Sequence, residues 1–177
     1  MRHPVFAFLS LTLAACGGGT NAPPDTLAAS AAPPAVSSVI TVAALEKSGK
    51  LPVLDRGPGL QGVDANRNGV RDDLDAWIAA QGFTPAQVKA AVQVALSLQR
   101  TIDIDLADDA QLRAASQLAV RAVVCAGARF SDRESSRVLN TLQKYTMNTQ
   151  PRVMKYLQYN QAQNGSVTQL PSGDTCA

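Results

Sequence analysis

Past residue 70 the chain repeats apolar side chains at intervals of three and four, the spacing of one helix face. Leu74, Trp77 and Ile78 mark the first such stretch, Asp72 to Gln81, and Gly82 supplies the left-handed residue that ends helices well. Thr84 and Pro85 open the second in the order helix starts prefer, a hydroxyl cap and then a residue whose missing N–H costs nothing there. Its stripe is Val88, Ala91, Val92, Ala95 and Leu96, and it runs to the neighbourhood of Arg100. A third, Ala107 to Ala126, aligns Leu112, Ala115, Ala119, Ala122 and Val123, with Gly127 as its stop. Ser131 caps a fourth, striped by Val138, Leu139, Leu142 and Tyr145. Beyond Pro151, Val153, Met154, Tyr156 and Leu157 mark a fifth, shorter helix ending near Gln163, and the aromatic and methionine side chains of these stripes are expected in the core. Nothing alternates as a strand set would, and no helix-length repeat recurs. The pattern predicts an all-α fold, a small bundle of four to five helices preceded by an irregular loop. Val39 to Leu45 fits a short strand or a helix, and Asn164 to Ala177 reads as irregular.

The N-terminal part obeys a different pattern. Arg2 precedes a short apolar run, Val5 to Leu9 with Leu11 and Leu13, too short for the roughly 20 residues of a bilayer-spanning helix. A basic start, a short apolar stretch and small residues before a cut are the parts of a secretory signal. Here they end in Leu13-Ala14-Ala15-Cys16, followed by Gly17-Gly18-Gly19. This resembles the lipobox of bacterial lipoproteins. The resemblance implies a signal peptide over residues 1–15, cleavage before Cys16 and a diacylglycerol on that cysteine. Acyl chains contribute about 0.8 kcal/mol per buried methylene, so the implied partner is a membrane, reached through an N-terminal lipid. Gly17, where an aspartate would retain such proteins at the inner membrane, implies the outer membrane of a Gram-negative envelope. Residues 16–38 are rich in Gly, Ala, Pro, Ser and Thr, too poor in apolar surface to offset ordering entropy, and read as a lipidated tether before a helical domain at 39–177.

Composition narrows the function. The chain is 46% hydrophobic and 17% charged with a formal charge of +2, which supports a core and gives no reason to expect nucleic acid. The one histidine, His3, lies in the expected signal peptide, so the mature chain would have no imidazole for a Ser-His-Asp or Cys-His mechanism.

The stretch Asp64-Ala65-Asn66-Arg67-Asn68-Gly69-Val70-Arg71-Asp72-Asp73-Leu74-Asp75 carries the candidate chemistry. Calcium takes six to eight oxygens, and one short segment supplies them if side chains alternate inward. Asp64, Asn66 and Asn68 stand at positions one, three and five, Gly69 at the sharp turn, Val70 where only a carbonyl is needed, Asp72 at nine and Asp75 at twelve. The loop resembles that of EF-hands, and more closely the Asp/Asn-rich loops of dockerins and thrombospondin type 3 repeats. The resemblance implies calcium as cofactor, with Asp64, Asn66, Asn68, Val70, Asp72 and Asp75 as metal ligands. Three departures stand out: an aspartate at position twelve, Arg71 where paired EF-hands carry an apolar bridge, and a Gly/Pro-rich segment, Arg56 to Gly62, in place of an entering helix. The competing account is an Asn-Gly turn before a helix whose Asp72, Asp73 and Asp75 complement its dipole.

Export to an oxidising compartment, with Cys16 taken by lipid, leaves Cys125 and Cys176 to form a disulfide. Asp103, Asp105, Asp108 and Asp109 cluster between helices, with Glu134 at another helix start; a carboxylate-dependent hydrolase acting on an envelope glycan is the enzymatic alternative. Helix capping explains these carboxylates more economically. The expectation is a noncatalytic lipid-anchored envelope protein with a structural calcium site, binding or scaffolding an envelope protein or glycan. Its general look is that of uncharacterised proteobacterial lipoproteins with such a loop.

Overall fold

Apolar stripes at helical spacing become helices wherever a neighbouring stripe covers them. A computed structural model describes residues 41–176. The expected signal peptide, Cys16 and tether lie outside the described residues. Six helices follow in order: α1 (Val42–Lys47), α2 (Asp72–Ala79), α3 (Pro85–Asp103), α4 (Asp109–Arg129), α5 (Asp132–Thr146) and α6 (Gln150–Ala162). Among the described residues there is no strand, so the fold is all-α, and none of these helices is long and apolar enough to cross a membrane.

α3 is the central helix, and α2, α4, α5 and α6 all pack on it. Ala90, Ala91 and Ala95 on α3 face Ala122 and Ala126 on α4, and small side chains let the two backbones approach closely. Val70, Leu74 and Ile78 enter the same core from the loop and α2, and Val138 and Leu142 from α5. Each fully buried aliphatic side chain of this kind contributes about 1.5–3 kcal/mol. Trp77 stands edge-on to Tyr145 at 5.6 Å, and Phe83 to Phe130 at 5.1 Å, closing one end of the bundle. A smaller cluster of Ile104, Ala115 and Tyr159, with Leu106, Leu112 and Tyr156, closes another. Val39–Ala177 cluster as one compact unit with this core of their own.

The N-caps Thr84 and Ser131 are where the sequence puts them. Thr84 and Gln87 form a reciprocal capping box at the start of α3. Asp108 accepts from the backbone of Ala110 and Gln111 at α4, and the Ser131 hydroxyl donates to Glu134 at 2.7 Å.

Four expectations need correction or completion. Residues 42–47 are helical, not extended, because Thr41 accepts from the Ala44 N–H at 3.2 Å and starts a turn. α3 continues past Arg100 to Asp103, burying Thr101 and Ile102, so Asp103 ends a helix and is not interhelical. Gly127 does not stop α4; the helix runs to Arg129, and Phe130 ends it in extended backbone. A mid-helix glycine costs about 1 kcal/mol, less than is gained by carrying Phe130 into the core. On α6 the expected core stripe is reversed. Val153, Met154 and Leu157 are 38%, 49% and 52% exposed, while Arg152 and Tyr159 take the buried side.

Candidate metal centre

The loop before α2 turns back on itself because its short polar side chains bond its own backbone. Asp64 accepts from the N–H groups of Asn68 at 3.1 Å and Gly69 at 2.9 Å. Asn66 Oδ1 accepts from Asn68 N at 3.0 Å, and Asn68 Oδ1 from Val70 N at 2.7 Å. Those of Asn66 and Asn68 are Asx turns in series, and Asp64 closes the loop across four and five residues. Gly69 sits at φ +84°, and a Cβ there would stand 2.7 Å from Leu96 Cδ1, so neither its backbone nor its space suits another residue. Arg67 also adopts a left-handed φ of 57° to complete the turn.

Asp75, one turn into α2, reaches back over the loop. Its Oδ2 accepts from the amide groups of both Asn66, at 3.1 Å, and Asn68, at 2.7 Å. Four of the six expected ligands, Asp64, Asn66, Asn68 and Asp75, are thus joined in one network. Asp72 bends toward the loop instead and accepts from Ala65 N at 3.1 and 3.3 Å. The side chain of Val70 is buried, as a position needing only its carbonyl allows.

The donor set is chemically suited to a hard cation. Asp64, Asp72 and Asp75 offer carboxylates, and the oxygens of Asn66 and Asn68 each keep a second lone pair beside the backbone bond they accept. Among the described residues no three of His, Cys, Asp and Glu side chains gather as a metal group. A cation here therefore depends on the neutral oxygens of Asn66, Asn68 and the Val70 carbonyl.

The residue that breaks the EF-hand pattern has its own task. Arg71 is completely buried. Its Nε and Nη2 grip Asp73 in a fork at 2.8 and 2.7 Å. Nη2 also donates to the Tyr145 carbonyl at 3.0 Å and Nη1 to that of Thr146 at 3.3 Å. The loop exit is thereby fixed to the carbonyl end of α5, where cations are favoured.

A second buried guanidinium, Arg152, holds the glycine-rich strap, residues 55–63, that leads into the loop. It donates to the carbonyls of Asp55 at 2.6 Å, Leu60 at 2.9 Å and Gly59 at 3.1 Å. Asn148 stands between the arginines, accepting from Arg152 at 2.7 Å and Arg71 at 3.4 Å. Desolvation, then the like charge of Arg71, lowers the Arg152 pKa from its usual value, and the Asp55 and Asp73 charges oppose that. Asp55 accepts from Gly57 N at 2.6 Å and Val63 N at 2.8 Å, and these bonds, the first the larger, hold its carboxyl below the ordinary aspartate range. From the sequence Arg71 stood out only as a departure from the EF-hand pattern, and Arg152 gave no signal.

Between the strap and the end of α3 lies a cleft of about 580 Å³, lined in part by Leu60, Gln61, Ile102, Asp103 and Lys155. Gln99 donates to the Gln61 carbonyl at 3.0 Å, while its Oε1 is enclosed with no partner among the described residues.

Cys125 and Cys176 are joined by a disulfide with 5.0 Å between their α-carbons. The carboxylates weighed for catalysis are dispersed into local duties. Asp103 accepts from Gln61 and lies 3.6 Å from Arg100. Asp105 accepts from Ala107 N at 2.9 Å, Asp109 lies 3.9 Å from Arg113, and Asp108 and Glu134 cap α4 and α5. Hydrogen bonds, from Gln111 to Asp108 and from Ser131 to Glu134 foremost, depress both carboxyl pKa values.

No known protein family matches this chain, and neither curated proteins nor solved structures contain a significant match.

Proposed function

We propose that this chain is a noncatalytic, lipid-anchored protein of the bacterial envelope whose helical domain carries a structural calcium ion at Asp64–Asp75 and serves as a binding or scaffolding module. The observation that supports the calcium reading is the hydrogen-bond network linking Asp64, Asn66, Asn68 and Asp75 within one loop. Calcium, when bound, would supply one concentrated positive charge there, held by the oxygens of Asp64, Asn66, Asn68, Val70 and Asp75, with Asp72 acting directly or through water. Its effect would be to fix the start of α2, and Arg71 carries that constraint to α5. Three carboxylates and two neutral amides belong to the weak end of calcium sites, roughly 10⁻⁴–10⁻³ M, suited to an extracellular medium.

The hydrolase alternative draws no support from Asp108 or Glu134. A general acid needs a raised pKa, whereas Asp108 and Glu134 are depressed by the caps they make.

Thermal melting of the 39–177 domain in millimolar calcium and in chelator tests the ion. A higher melting temperature in calcium, abolished by Asp64→Ala, is expected. Identical melts would leave Asp72, Asp73 and Asp75 as helix-dipole partners and remove the ion from the account. The anchor is tested separately. Cys16→Ser in the full chain should shift the protein from the detergent phase to the aqueous phase, and unchanged partitioning would refute lipidation. The envelope partner, a protein or a glycan, is to be sought by pull-down from solubilised membranes.

A further inference from the structure

Asparagine followed by glycine is the dipeptide in which backbone most readily attacks side chain, because glycine has no Cβ to crowd the closing ring. The glycine nitrogen loses its proton to base and bonds to the asparagine Cγ. The Cγ–Nδ2 bond breaks, and ammonia leaves with a proton returned by solvent. Water then opens the cyclic imide at either carbonyl, giving aspartate or isoaspartate. One water is consumed and one ammonia released, and nothing is oxidised or reduced.

The sequence contains this dipeptide twice, at Asn68-Gly69 and at Asn164-Gly165. All four residues are exposed, and both glycines are left-handed, at φ +84° and +78°. Exposure and glycine backbone are alike, so hydrogen bonding is what separates the two.

At the first dipeptide every reacting group is engaged. Gly69 N donates to Asp64 Oδ2 at 2.9 Å, which ties down the nucleophile. The Asn68 amide is clamped at both ends, Nδ2 donating to Asp75 at 2.7 Å and Oδ1 accepting from Val70 N at 2.7 Å. Ring closure must break these bonds together, which amounts to a local opening of the loop. At the second dipeptide nothing has to break. Neither the Gly165 N–H nor the Asn164 amide has a hydrogen-bond partner among the described residues. The bonds of that turn, Asn164 N to Gln161 O at 3.1 Å and Ser166 N to Gln163 O at 3.0 Å, leave the reacting atoms free. Residues 164–170 are all exposed, so the side chain has room to swing onto the next nitrogen.

We infer that Asn164 is a site of spontaneous deamidation in the folded protein, and that the hydrogen bonds of the 64–75 loop shield Asn68 from the same reaction. The new carboxylate stands one residue past the C-cap of α6, while position five of the loop keeps its amide. The inference needs neither the calcium nor the lipid reading.

Incubation of residues 39–177, which form a compact unit of their own, in mildly alkaline buffer with chelator tests it. Mass spectrometry of the peptides carrying each asparagine follows the two conversions. Asn164 should convert faster than Asn68 by about tenfold or more, the ratio set by a loop open less than about one-tenth of the time. In guanidinium chloride the two should convert at similar rates, because the dipeptides are the same and the clamp is gone. Asp64→Ala frees the Gly69 N–H and Asp75→Ala frees the Asn68 amide. Each should speed Asn68 under native conditions, with Asn164 in the same molecule as the internal standard. An Asn164 that stays intact in the folded protein would overturn the site. An Asn68 that keeps pace with it under native conditions would overturn the shield, and an Asn68 that neither substitution speeds would overturn the role given to these bonds.

Discussion

A Cβ placed on Gly62 would stand 2.8 Å from the Cγ of Arg71, so the strap lies directly on the stem of the arginine at the start of α2. Gly62 also has a φ of +72°. Gly62→Ala combines backbone strain with overpacking and should cost about 2–3 kcal/mol, a fall in melting temperature on the order of 10 °C. Gly59→Ala, with open space around it and no left-handed backbone, is the control and should melt like wild type.

Val70 separates packing from ion binding. It is fully buried, so Val70→Ala should cost about 2 kcal/mol of stability. Its carbonyl is unaltered, so the calcium-induced shift in melting temperature should persist, in contrast to Asp64→Ala. Paired melts with and without calcium distinguish the two.

Arg152→Met removes the donors to the Asp55, Gly59 and Leu60 carbonyls while keeping most of the side-chain volume. Stranding buried polar partners in this way costs about 3–5 kcal/mol. Urea unfolding should register the loss, and limited proteolysis should then cut within residues 55–63 before any helix.

Acid should weaken the strap through Asp55. A carboxyl held below its unfolded value, ordinarily about 3.9, contributes stability that is complete above that value and is lost as pH falls through the lower folded one. Wild-type stability should therefore decline from about pH 4 downward. In Asp55→Asn the decline should be shallower, with lower stability at neutral pH. Urea titrations between about pH 2 and 7 make the comparison.

The disulfide ties a tail that has little else. Thr175 is buried and its carbonyl accepts from Gln93 at 2.9 Å, but Val167 and Leu170 are 94% and 79% exposed. Cys125→Ala with Cys176→Ala should cost up to about 4 kcal/mol by the chain-entropy argument. Trypsin-independent proteases such as thermolysin should then clip near Leu170, with the helix content of the bundle retained.

The helices from α2 to α6 were legible from their periodicity, and in α3 and α5 the caps agree with it. Thr84 with Gln87, and Ser131 with Glu134, announce their starts locally, and local signals survive folding. The alternation of Asp64, Asn66 and Asn68 was equally local, and all three side chains bond the loop's own backbone. Arg71 and Arg152 were not legible. Their partners are carbonyls as many as 97 residues away in sequence, and a basic residue beside polar ones has no apolar period to betray its burial. α6 misled for the converse reason: Val153, Met154 and Leu157 have helical spacing, but the inner face was already taken by Arg152 and Tyr159. Gly127 misled because a glycine stops a helix only when the chain beyond has no reason to continue it.

The strap held by Arg152 also sets an order of events. Its carbonyls wait on a guanidinium that the chain supplies 92 or more residues later, and closing so long a loop must precede any reward from those bonds. α3, α4 and α5 can pair from near neighbours alone. The segment leading into the loop must therefore be among the last parts to settle during folding, although it is among the first made, and the amides of residues 55–63 should be the late-protected ones in pulse-labelled hydrogen exchange. Ion binding at Asp64–Asp75 would then report a completed fold and could not nucleate one.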